Sequence, residues 1–85
     1  MALPDAARDD EAVEALEREY ALVGSAIAMV RSGASPRVHV SGLRFGLQMI
    51  DSARSRAGRE GLRAVPLWTA DGALDGIAIE RPARG

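Results

Sequence analysis

The stretch PRVHVSGLRFG, residues 36–46, decides how the chain is read. Its first half sets Val38 and Val40 in alternation after Pro36 and predicts a short strand. Its second half predicts a second helix that starts at Ser41 or Gly42, with Ser41 able to cap it. That helix places Leu43, Leu47 or Gly46, Ile50, Ala53 or Arg54, and Ala57 inward, and turns Gln48, Asp51, Ser52, Ser55 and Arg59 outward. Gly58 and Gly61 mark its end. Then LRAVPLW, residues 62–68, reads as a second strand. Pro66 has no N–H to give a ladder, so this strand belongs at a sheet edge or a bulge.

Downstream, TADGALDG (69–76) carries two Asp-Gly turn signals, and IAIE (77–80) folds back as a third strand. A strand–helix–strand unit calls for a right-handed crossover with its two strands parallel. Upstream, Asp5, Asp9 or Asp10 can cap a long helix that runs to about Ser32 and stops at Gly33. Val13, Leu16, Tyr20, Val23, Ile27 and Val30 form an apolar seam at helical spacing along it. The expected fold class is α/β: a single α-β-α-β-β domain over residues 1–85, with a mixed three-stranded sheet packed by two helices. Residues 1–8 and 82–85 are expected to fray.

Such a short chain buries a small share of its surface, and this one has a single Trp, Tyr and Phe in 85 residues. A partner would add burial. The sequence points to where: residues 21–30, ALVGSAIAMV, are apolar or small on every side, and Leu22, Ala26 and Met29 make a second stripe beside the seam. Gly24 and Ala28 would let another backbone approach. The expected interface is therefore Tyr20, Leu22, Gly24, Ala26, Ile27 and Met29. Trp68, at the hairpin mouth, either plugs the core or joins that interface.

The chain has no cysteine and one histidine, which rules out disulfides and thiolate zinc sites and leaves too few ligands for a transition metal. No metal and no cofactor are expected. No apolar run approaches the roughly 20 residues of a membrane span, so the reading is a cytoplasmic protein without membrane contact. All eleven basic residues are arginine, which reflects a GC-rich genome more than selection for phosphate binding. Charge is nonetheless segregated. Residues 1–20 hold seven acids and two arginines, net −5, whereas residues 31–63 hold seven arginines and two acids, net +5. Blocks of opposite sign invite contact within or between chains and leave a basic surface for an anion.

Two segments carry a family resemblance. MVRSGASPRVHVSGLRFGLQMIDSARSRAG (29–58) passes from a helix through a glycine-alanine turn, a Val-rich strand and a small, basic turn into a second helix. GLRAVPLWTADG (61–72) with GIAIE (76–80) follows as a closing hairpin. Together, residues 20–81 resemble the Alba family of small dimeric nucleic-acid-binding proteins, in an element order also shared with the C-terminal domain of translation initiation factor three. The resemblance implies an Alba-like fold and nucleic-acid contact at the strand-to-helix turn, Ser41, Gly42 and Arg44. The sequence departs from the family where an acidic helix replaces its opening strand, where lysine is absent, and where Asp71 and Asp75 make the hairpin acidic.

These readings order the functions. The first is a non-enzymatic interaction module, a homodimer or an accessory subunit of a larger assembly. The second is a nucleic-acid binder whose Arg44, Arg54, Arg56 and Arg59 contact phosphates. The third is a small-anion or cofactor site at the Ser41–Gly42 helix start, where free N–H groups and the helix dipole meet Arg44. His39 reads as a packed or edge residue, because no nearby carboxylate is seen to orient it as a base.

Overall fold

The computed structural model describes residues 4–82, with side chains from residue 10 onward. The elements are α1 (Pro4–Arg31), β1 (Arg37–Ser41), α2 (Gly46–Arg59), β2 (Arg63–Trp68) and β3 (Leu74–Glu80). The expected α-β-α-β-β order is therefore present. The expected fraying of the ends falls partly on residues 1–3 and 83–85, outside the described residues. No helix among the described residues is long and apolar enough to cross a membrane.

The strands are arranged β1-β3-β2, and both pairings are antiparallel. β1 and β2 run in the same direction, as the crossover requires, but β3 lies between them. The sheet is thus antiparallel throughout rather than mixed, because the hairpin return of β3 occupies the slot in which β1 and β2 would have paired. Pro66 sits on an edge strand, with a register shift between Leu67 and Trp68, as its missing N–H demands. Of the two Asp-Gly signals only Asp71-Gly72 turns the chain; Asp75-Gly76 lies within β3.

Directly paired residues share a sheet face. Val40 with Ile77, and Ile79 with Ala64, join the helices in the core. That core holds Val23, Ala26, Ile27 and Val30 from α1, and Met49, Ala53 and Ala57 from α2. On the other face Glu80 lies between Arg37 and Arg63, at 3.4 and 2.8 Å. Both helices thus cover one side of the sheet.

Leu62 N–H donates to Ala57 C=O at 2.8 Å and Gly61 N–H to Gly58 C=O at 3.1 Å, the paired bonds that close a helix through a left-handed residue. Gly61 supplies that residue with φ 73°, so it ends α2, while Gly58 stays inside it. The predicted seam of α1 is only partly right. Val23, Ile27 and Val30 are buried, but Val13 and Tyr20 are exposed, and Glu19 is buried in their stead. For Val13 the cause is length: the 28-residue helix is about 42 Å long, and none of residues 10–14 is buried. The molecule measures 60 × 31 × 19 Å in consequence.

Candidate functional site

At the junction after β1, the structure answers the anion expectation with the protein's own carboxylate. Ser41 closes β1, Gly42 turns the chain with φ 69°, and α2 begins only at Gly46. Ser41 therefore caps nothing. The amides that precede α2 are already used: Arg44 N–H donates to Glu19 Oε2 and Phe45 N–H to Glu19 Oε1, both at 2.8 Å. Glu19 is 5% exposed and is the only buried charged residue among the described side chains. Two amides at this end of α2, and its dipole, face the carboxylate of α1. The helix start expected at Ser41–Gly42 is thus corrected to Gly46. Glu19 thereby differs from the other described acids of α1, since it is the clamp between the helices. The Arg44 guanidinium lies over the Phe45 ring, 5.3 Å from its centroid.

The four arginines expected on one face do not share one. At 100° per residue Arg56 and Arg59 lie about 60° apart around α2, whereas Arg54 lies about 160° from Arg56, and Arg44 is in the loop before the helix. Arg56 and Arg59 meet Arg31 at a groove of about 290 Å³ between α1 and α2, lined also by Gly24, Ile27, Ala28 and Glu60. Arg31 pairs with Glu60 at 2.6 Å. Arg56 reaches across to donate to the Tyr20 carbonyl at 3.0 Å. Gly24 makes room for it, since a Cβ there would stand 2.6 Å from the Arg56 Nη2. All three arginines sit in the last turns of their helices, where the dipole favours a cation.

The expected apolar interface divides as well. Ala26 and Ile27 belong to the chain's own core, which corrects their assignment to an interface with a partner. Tyr20, Leu22 and Met29 remain exposed, and Gly24 is half-buried beneath Arg56. Two residues of helix turn the chain by about 200°, so Tyr20 and Leu22 occupy opposite flanks of α1. Trp68 does not plug the core: it is 53% exposed and lines a separate groove of about 540 Å³ with Phe45, Leu47 and Leu74. Leu47, 68% exposed, is the apolar surface residue that the sequence left undecided. Gly46 took the inward position, where a Cβ would collide with the Leu74 side chain.

His39 lies on the uncovered face of the sheet with its Nε2 3.7 Å from Asp75 Oδ2, too far for a hydrogen bond. Asp75 is the carboxylate missed from sequence, because Asp75-Gly76 reads as a turn and not as strand. The imidazole is half-exposed and sits above Gly76, at the surface and outside both grooves. Among the described residues no three His, Cys, Asp or Glu side chains are grouped to hold a metal ion. No protein-family model, curated protein or solved structure matches this chain.

Proposed function

We propose that the chain is a non-enzymatic interaction module of the cytoplasm, acting as a homo-oligomer or as a small accessory subunit of a larger assembly. The observation that carries this reading is the state of α1 after folding: the core takes Val23, Ala26, Ile27 and Val30, and leaves Tyr20, Leu22 and Met29 in solvent. Large apolar side chains exposed on both flanks of one helix, Tyr20 on one and Leu22 with Met29 on the other, support a helix that meets another molecule. Size-exclusion chromatography with light scattering tests it. A mass that is a multiple of 9.0 kDa supports self-association, and a stable monomer at micromolar concentration overturns it.

A second reading, nucleic-acid binding of the Alba-like kind, draws support from the convergence of Arg31, Arg56 and Arg59 on one groove with Glu60 as the only acid lining it. Phosphate contacts would make that binding fall steeply with salt. An electrophoretic mobility shift that is absent even at low salt removes it.

A further inference from the structure

Beyond self-association as such, the pattern along α1 specifies how two copies would meet. Asp10, Val13, Glu17, Tyr20, Gly24, Ala28 and Arg31 follow one another at three- and four-residue spacing, so they form one stripe of the helix. It is acidic at its start, aromatic at its middle and basic at its end. Every side chain in it is exposed, and only Gly24 is half-buried. Among the described residues Asp10, Glu17, Arg56 and Arg59 form no ion pair, and the basic end of the stripe opens on the Arg31–Arg56–Arg59 groove.

We infer that this stripe is an isologous interface on which two α1 helices lie antiparallel, each acidic half resting on the arginine groove of the other copy. This rests on the homo-oligomer reading above. The register is fixed by the positions themselves. With Tyr20 beside the two-fold axis, Asp10 falls opposite Arg31 of the second copy, Val13 opposite Ala28, and Glu17 opposite Gly24, over which Arg56 lies. A two-fold operator repeats each of these contacts, so one stripe supplies two acidic and two basic ends. The same operation on the Leu22–Met29 flank brings no comparable charge pairing, because at the same spacing that flank ends in Ser32, with no basic residue there to meet an acidic start. The alternative, an intramolecular match of the −5 and +5 blocks, is not what the fold does: the arginines of the groove are met by Glu60 and by backbone, not by the acids of α1.

The absence of cysteine makes the geometry directly testable. Tyr20→Cys and Met29→Cys each introduce a single thiol, on opposite flanks of α1, for a short bifunctional maleimide. Tyr20→Cys should crosslink to a dimer and Met29→Cys should not. In parallel, Asp10→Arg/Glu17→Arg should weaken self-association by about tenfold or more, because like charges then face each other. Mixing that protein with Arg31→Glu/Arg56→Glu should restore a dimer. Circular dichroism confirms that each variant is folded, and crosslinking alone decides the question if the charge variants are not. Crosslinking through Met29→Cys but not Tyr20→Cys, or a folded charge-reversed protein that dimerises like the wild type, overturns this geometry and leaves self-association standing. A monomeric wild type removes self-association itself.

Discussion

Replacing Glu19 by alanine should destabilise this domain more than any other single change to a charged side chain. The carboxylate accepts two backbone N–H bonds of 2.8 Å while 5% exposed, and it ties the middle of α1 to the start of α2. A hydrogen bond to an ionised group is worth about 1.5–3 kcal/mol. Because Arg44 is exposed, water can reach its amide once the carboxylate is gone, so the low end applies there. Adding about 0.3–1 kcal/mol for the lost interaction with the helix dipole gives a total of about 4 kcal/mol. For a domain of this size each kcal/mol shifts Tm by roughly 4–8 °C, so Glu19→Ala should melt about 16–32 °C below the wild type. Glu19→Gln keeps one acceptor and turns an NH2 toward the other amide, so it should fall between the two. Thermal denaturation followed by circular dichroism gives the ranking, and amide hydrogen exchange gives the cause: Arg44 and Phe45 N–H are protected in the wild type and should exchange freely in the alanine variant. If Glu19→Ala melts within about 2 °C of the wild type, the clamp contributes nothing and the reasoning fails.

Three further outcomes follow from the geometry. Gly61→Ala forces a Cβ into a left-handed position at φ 73° and should cost about 1–2 kcal/mol, seen as a lowered urea midpoint with an unchanged slope. Gly76→Ala would ordinarily strengthen a strand by about 0.5–1 kcal/mol, but here the new methyl meets the Val40 carbonyl and the His39 ring. The backbone cannot yield, so the variant should be less stable, and His39→Ala should not rescue it. The Thr69 hydroxyl holds the Asp71 carboxyl below its ordinary value. A depressed carboxyl stabilises the fold above its unfolded value and loses that contribution as pH falls through the folded one. Thr69→Val should therefore raise the Asp71 value toward normal in a carboxyl NMR titration and lessen the acid sensitivity of the turn.

The elements were legible because each is punctuated by local chemistry. Gly33 and Gly61 stop the helices, Pro66 marks the edge strand, and Asp71-Gly72 turns the hairpin. What was not legible is whatever depends on a residue far away in the chain. Glu19 lies 25 and 26 positions from the amides it holds, and nothing in its neighbours distinguishes it from Glu14 or Glu17. The helix phase was misjudged for the same reason. Tyr20 is the better apolar residue, yet the start of α2 requires an acceptor at position 19, and the burial of that carboxylate turns Tyr20 outward. Asp75-Gly76 was misread because a dipeptide that favours a turn also serves where a strand needs room for the imidazole above it. The candidate interface could be placed on α1 from composition alone, but dividing its residues between core and surface required knowing which flank α2 covers.

The sheet and the helix treat their uncovered surfaces differently, and the contrast bears on which of them meets a partner. With both helices on one side, the other face of the sheet is open, but it carries the Arg37–Glu80–Arg63 row and His39 beside Asp75. Its edges are blunted by the proline of β2 and by the short length of β1, devices that discourage another strand from pairing there. Along α1 no such protection exists. Val13, Tyr20, Leu22 and Met29 stand in solvent on a helix that runs beyond the body it packs on. Within residues 10–31 of α1, burial begins only at Ala15. Val13→Ser should then leave the melting temperature almost unchanged in thermal denaturation, because Val13 is exposed, while light scattering should show weaker self-association, since the proposed antiparallel contact sets Val13 against Ala28 of the second copy.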